Sequence, residues 1–261
     1  MNETMVKIRR NFLPEEFQTE LKMNNISGSV VVQARQKVEE SQWLIKLGDQ
    51  YDFIQGIVGW VDLRSKDLEN DLLYFARHKK FKGVRHVLED EEDDRFMLRK
   101  DFLSGIDKLK KYNLTYDILV KPHHLFYVQE LVRRFPEQLF VIDHMAKPLI
   151  KDKEVHSWKK RMLAIAKEKN VYCKISGMVT EADWNHWKVS DFQPYLEIIL
   201  EFFGSKRVMF GSDWPVCTLV ANYSEVKLIV DSYITSLTDS EKKDIMGLNA
   251  IHFYRLGRDN P

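Results

Sequence analysis

Cysteine is scarce in this sequence. Cys173 and Cys217 are the only two in 261 residues, far apart and outside any CxxC pair. That spacing does not build a secreted disulfide framework, and it offers no thiolate basis for a structural zinc site. Long apolar runs are missing as well. No stretch approaches the ~20 apolar residues of a membrane span. The opening MNETMVKIRRNFLPEEF has basic residues with no apolar run behind them, so it does not read as a signal peptide. Charge of one sign is also lacking: Lys+Arg 40 stand against Asp+Glu 39, a net charge of +1. That balance gives no electrostatic surface for nucleic acid, and basic runs such as Lys159-Lys160-Arg161 read as solvated helix faces. A soluble, cytoplasmic protein with neither nucleic-acid nor membrane partners is expected. No Gly-, Pro- or Ser-rich linker and no shift in composition divides the chain, so residues 1–261 are expected to form a single domain.

What is present is a repeat. Short apolar, β-branched runs occur at residues 29–34 (SVVVQA), 54–63, 81–89, 115–122, 139–148, 171–178 and 207–215. Several lack polar alternation over their first half, as strands covered on both faces do. Helix periodicity fills the intervals: Phe102, Ile106, Leu109 and Tyr112 share one side, as do Leu125, Val128, Leu131 and Val132. A Ser-Asp cap at Ser190-Asp191 opens a further helix. Strand–helix units at intervals of roughly 25–35 residues are βαβ construction. No GxGxxG follows the first strand, which weighs against an open dinucleotide-binding sheet and toward a barrel.

Polar residues collect at the C-terminal ends of these runs, where barrels of this kind build their sites. Gln33 and Arg35, Trp60 and Asp62, Arg85 and His86, Lys121, Asp143, His144 and Lys147, Lys174 and Ser176, and Ser212 and Asp213 form a ring of strand tips. Strand alternation sends Asp143 and His144 to opposite faces, so only one of them is expected to face the mouth. Asp213 shares a face with Met209 and Gly211, and the glycine leaves room for a water or a substrate group. A carboxylate that takes a proton from water, beside cations or imidazoles that steady a developing oxyanion, is the equipment of hydrolysis. Each tip has a plainer reading. His86 could be a core histidine, His123-His124 a helix-start cap, Lys174 a salt-bridge partner of a neighbouring tip, and Trp214 a packing residue. His78, His156, His186 and His252 carry no role.

The segments VIDHMAKP (141–148), FGSDWPV (210–216), GVRHVLEDE (83–91) and TYDILVKPHHL (115–125) together resemble the amidohydrolase-2 branch of the metal-dependent hydrolases. Within it they are most similar to the sugar lactonases that act on fuconolactone and rhamnonolactone. The likeness runs from about Arg10 to about Leu256. It implies an α/β amidohydrolase-type (β/α)8 TIM barrel that opens the ring ester of a sugar-derived lactone. By position it implies Asp213 as the general base on water and His144 as the group that polarises the carbonyl or binds metal. Gln33, Trp60, Arg85, His86, Lys121 and Trp214 would line the substrate pocket and hold a sugar lactone or sugar acid. The family's first strand carries His-x-His, and no His-x-His occurs in this chain. The barrel is therefore expected to be incomplete, lacking its first strand, with MVKIRR a poor filler for the gap. A divalent cofactor, zinc or manganese, is implied only where such a strand is supplied; no metal ligand is assigned. An upstream start is the favoured explanation, with closure by another chain or a degenerate barrel as the others. An unclosed edge also favours a homo-oligomer. Two other functions remain open: a non-catalytic barrel that binds a sugar acid or a partner protein, and a metal-dependent amidohydrolase or decarboxylase.

Overall fold

The seven β-branched runs form the seven strands. The computed structural model describes residues 3–257. The strands are β1 (Ser29–Val32), β2 (Ile54–Gly59), β3 (Phe81–Val87), β4 (Thr115–Leu119), β5 (Phe140–Ile142), β6 (Val171–Ile175) and β7 (Val208–Phe210). All pair in parallel, each with its successor. Helices α1 (Pro14–Met23), α2 (Val38–Gln50), α3 (Leu68–Ala76), α4 (Lys100–Leu109), α5 (Leu125–Arg134) and α6 (His156–Ala166) come first in the chain. The short α7 (Met178–Glu181), α8 (Val189–Phe203), α9 (Tyr223–Ile234), α10 (Asp239–Lys243) and α11 (Asn249–Phe253) follow. This is an α/β barrel with one sector open.

The outer core lies between sheet and helices. On α4 Phe102, Ile106 and Leu109 are buried as the spacing predicts, joined by Leu103, while Tyr112 stands half-buried on the 3-10 turn Lys110–Tyr112 that follows; each buried side chain contributes about 1.5–3 kcal/mol. The α8 helix begins two residues earlier than a cap at Ser190 suggests, with Lys188 as its N-cap. Asp191 serves it from inside the first turn, its carboxylate accepting the Lys188 N–H at 2.8 Å.

The inner core is smaller and closes the opposite end from the strand tips. Val58, Val141 and Met209 from the sheet meet Phe253 and Tyr254 from the C-terminal segment. Asn249 fixes that plug, donating to the carbonyls of Ser205 and Val208 at 2.6 Å each, around the start of β7. Tyr254 then reaches up the interior, and its hydroxyl donates to Asp117 Oδ2 at 2.7 Å.

The seven-stranded order leaves β1 and β7 as the sheet's two edges. Both line one cavity of about 1080 Å³, β1 through residues 30–32 and β7 through Met209 and Phe210. The sheet is thus curled but not closed, as the lack of an eighth strand run implies. MVKIRR does not repair it, because Glu3–Ile8 is a 3-10 helix whose Lys7 Nζ donates to the Leu219 carbonyl at 3.1 Å. No helix among the described residues is long and apolar enough to cross a membrane.

Candidate active site

Inward-facing positions along the strands build a buried ionic network beneath the strand tips. Lys174 on β6 stands between two carboxylates, 2.6 Å from Asp117 Oδ2 and 2.7 Å from Asp143 Oδ1. Arg85 on β3 takes the other Asp143 oxygen at 2.8 Å. Gln33, at the end of β1, accepts from Arg85 Nη2 at 3.1 Å, and Arg85 also donates to the Gln33 carbonyl. Two cations and two carboxylates balance, and their interlocking spans the barrel from β1 to β6. Burial alone would push the Asp143 carboxyl up, but Lys174 and Arg85 override it and hold the group below its ordinary value. Burial likewise works against the Lys174 ammonium, and Asp117 with Asp143 raises it instead. Asp117 is raised, burial prevailing over the lowering effect of Lys174.

Above this network sit His144 and Asp213. The β5 strand ends at Ile142, and His144, Met145, Ala146 and Lys147 then run through four consecutive left-handed conformations, φ 52°, 53°, 57° and 52°. None is glycine, so the turn is strained by about 1–2 kcal/mol per residue. It persists because it is pinned: Trp158 Nε1 donates to the Met145 carbonyl at 2.7 Å, and Lys147 Nζ lies 2.6 Å from Glu89 Oε1. The turn corrects the alternation argument. Asp143 faces inward as strand geometry requires, and the left-handed turn brings His144 round to the same cavity, so both line it.

His144 Nδ1 lies 2.8 Å from Ser176 Oγ, and Nε2 lies 3.7 Å from Asp213 Oδ1. Burial lowers the His144 pKa, against the raising influence of Asp213 and Asp143, and the ring is neutral near pH 7. Asp213 is itself left-handed, φ 56°. Its carbonyl accepts the Cys217 N–H at 2.9 Å, and Ser212 Oγ accepts the Trp214 N–H at 3.2 Å. Trp214 stacks on Phe17 of α1 at 4.8 Å and meets Phe12 edge-on at 5.3 Å, forming an aromatic wall beside the carboxylate.

Five of the eight residues singled out from the sequence thus line one cavity: Gln33, Arg85, His144, Asp213 and Trp214. The other three lie elsewhere. Trp60 Nε1 donates to His86 Nδ1 at 3.2 Å, and His86 Nε2 sits 2.6 Å from Glu91 Oε1. Both ring nitrogens are engaged, Phe96 stacks on the ring at 5.0 Å, and burial lowers its pKa against the pull of Glu91. His86 is therefore a neutral core histidine that anchors Trp60. Trp60 in turn borders a separate shallow pocket with residues 35–39. Lys121 is exposed and reaches the Glu89 carbonyl at 3.5 Å. Asp117 and Tyr254 were not foreseen. Asp117 sits mid-strand in TYDIL, and a carboxylate inside an apolar run was the signal for it.

Two places have donors a metal would use. Asp94, His123 and His124 bring ligand atoms within 4.8 Å of one another, close enough to hold a cation. His124 Nδ1 accepts the Lys121 N–H at 3.1 Å, however, so the neutral ring carries its proton on Nε2, the atom facing Asp94 at 3.4 Å. Metal binding there requires that bond to break. At the mouth, His144 Nε2 and Asp213 Oδ1 converge, while the Asp143 oxygens are held by Lys174 and Arg85. Two free donors fall short of the three protein ligands of a catalytic zinc. The mouth formed by the described residues does not fit a metal by itself, and no step is routed through one.

A curled parallel sheet with carboxylates, an imidazole and cations toward its strand C-terminal ends is the arrangement of the α/β-barrel enzyme class. The chain belongs to the amidohydrolase family, whose model matches residues 7–256. It is 33% identical over 263 residues to an L-fucono-1,5-lactonase of Burkholderia ambifaria, covering 98% of this chain and 89% of that protein. It is 35% identical over 260 residues to an L-fucono-1,5-lactonase of Burkholderia multivorans, covering 95% and 88%. A Burkholderia multivorans amidohydrolase solved with bound zinc superposes with a TM-score of 0.94 at 34% identity, over 98% of this chain and 92% of the other.

Proposed function

We propose that this protein hydrolyses the ring ester of a sugar-derived lactone. The observation that carries the reading is the convergence of the Asp213 carboxylate and the His144 imidazole, 3.7 Å apart, on the polar end of the central cavity. Asp213 takes a proton from water, and the water oxygen attacks the ring carbonyl carbon. His144 donates a hydrogen bond to the carbonyl oxygen as negative charge develops there. The tetrahedral intermediate collapses with cleavage of the ring C–O bond, and the proton held on Asp213 passes to the leaving oxygen. The product is the open hydroxy acid.

Arg85 and Gln33 act chiefly as a floor. Their polar atoms are bonded to one another and to Asp143, so they present a rigid, cationic underside to a hydroxylated ring rather than free donors. Trp214 supplies an apolar wall against one ring face. The two curated lactonases support the substrate class, since both act on a sugar lactone by name. A panel of aldonolactones, followed by acid release at constant pH, tests the proposal. Turnover of at least one member supports it. Calorimetric binding of sugar acids with no turnover across the panel would favour a non-catalytic barrel instead. A divalent metal belongs to this reading only where further ligands join His144 and Asp213 at the mouth.

A further inference from the structure

Three strand tips interlock around the imidazole of His144. Ser176, after β6, is 1% exposed, and its Oγ lies 2.8 Å from Nδ1. The next residue, Gly177, has φ 61°, and a Cβ placed on it would fall 2.8 Å from both Cγ and Nδ1 of the ring and 2.9 Å from its Cβ. Gly211, after β7, supports the seat from behind, since a Cβ there would come within 3.0 Å of Ser176 Cβ. The ring therefore lies against residues 176 and 177, held by a hydroxyl on one and admitted by the bare Cα of the other.

The hydroxyl decides which nitrogen carries the proton. Among the described residues, the bond to Nδ1 is the one hydrogen bond that Ser176 Oγ makes. If Nδ1 were the donor, the hydroxyl hydrogen would be left without an acceptor among the described residues, which is the costlier arrangement. If the hydroxyl donates, both groups are satisfied, and the ring's single proton sits on Nε2. That atom faces Asp213 and the cavity. The lowered pKa of His144, set by burial, agrees with a ring holding only one proton.

The structure assigns to Ser176 the role of positioning residue: it donates to Nδ1 of His144 and so fixes the tautomer that presents Nε2–H to the substrate carbonyl. The assignment rests on the lactonase reading for its catalytic meaning, although the tautomer itself does not. In this form His144 is a neutral hydrogen-bond donor toward the cavity and does not serve as a base.

Nitrogen NMR of the full chain carrying 15N-labelled histidine tests the assignment, with His144 identified by the resonances that vanish in His144→Gln. At neutral pH the account expects His144 Nε2 protonated and Nδ1 in the bare, hydrogen-bond-accepting form. Ser176→Ala should let the two tautomers mix and lower kcat about tenfold or more, with KM moving less than about threefold. Protonated Nδ1 in the unaltered protein overturns the assignment, as does a folded Ser176→Ala variant with unchanged kcat. Should the variant not fold, the spectrum of the unaltered protein decides alone. Nε2–H without turnover of any lactone refutes the lactonase reading and leaves the tautomer standing. Turnover with Nδ1 protonated refutes only the role of Ser176.

Discussion

Replacing Lys174 by Met removes the cation that binds the interior network together. Lys174 Nζ sits 2.6 Å from Asp117 and 2.7 Å from Asp143, and both carboxylates are 0% exposed, so neither can turn to water. Asp143 keeps Arg85 at 2.8 Å, whereas Asp117 keeps the Tyr254 hydroxyl at 2.7 Å. Breaking a buried pair from one side costs about 3–5 kcal/mol. At about 2–4 °C per kcal/mol for a chain of this size, Tm is expected to fall by roughly 10 °C. The pH dependence has a definite sign. Lys174 opposes the burial that raises both carboxyls, so without it both folded pKa values move up; Asp117, already raised, moves further above its ordinary value, while Asp143 keeps the lowering influence of Arg85. A carboxyl raised in the folded state favours folding below its unfolded pKa and loses that contribution as pH rises through the folded value. The variant's deficit is therefore largest at neutral pH and narrows on acidification, while Asp143 of the unaltered protein, held low, loses its stabilising contribution only as pH falls through its depressed value. Thermal melts followed by circular dichroism from about pH 8 to pH 5 measure the variant's loss of Tm and how that loss changes with pH. A loss of Tm below about 2 °C, or a gap that does not change with pH, would refute the reasoning.

The remaining expectations concern the mouth and its surroundings. Gly177→Ala puts a Cβ within 2.9 Å of the His144 ring at a left-handed position, so it should displace the imidazole, lower kcat at least about tenfold and destabilise the fold by about 1–3 kcal/mol, read by steady-state kinetics and urea unfolding. Trp60→Phe removes the donor to His86 and leaves the central cavity untouched, so lactone turnover should stay within about twofold while the melting point drops by a few degrees. Dialysis against a chelator should leave both melting point and turnover unchanged, because the Lys121 N–H bond to Nδ1 keeps the proton of His124 on Nε2, the atom that faces the Asp94–His123–His124 cluster; stoichiometric zinc in elemental analysis, lost together with activity, would contradict this.

Much of the fold was legible because each buried strand needs apolar residues on both faces, and the seven runs that meet this need are the seven strands. The open sector was legible for the same reason: seven runs, and no eighth to join β1 to β7. Of the strand-tip residues, Gln33, Arg85, His144 and Asp213 line one cavity because side chains at strand ends share the barrel mouth, and Trp214, which entered with the family resemblance, lines it too. Strand-tip reasoning also gathered Trp60, His86 and Lys121, and there local sequence misleads. Glu91 and Phe96, which occupy His86, come from the loop after β3, and nothing in the spacing of Arg85-His86 announces them. The left-handed turn at His144 was equally hidden, for its four residues include neither Gly nor Asn. Pro148 is its one outward sign, disfavouring a right-handed helical conformation at Lys147. Asp117 escaped notice because its partners, Lys174 and Tyr254, stand 57 and 137 residues away.

Asp213 is the point on which the account rests, and Asp213→Asn tests it most directly. Asparagine keeps the shape of the side chain and removes its capacity to hold the water's proton. Its left-handed backbone, φ 56°, is one that asparagine tolerates, so the fold is expected to survive. Steady-state hydrolysis of an aldonolactone, with the melting point as control, should show kcat reduced by about 10²–10⁴-fold at unchanged stability. A folded Asp213→Asn variant that opens the lactone as fast as the unaltered protein would contradict the account.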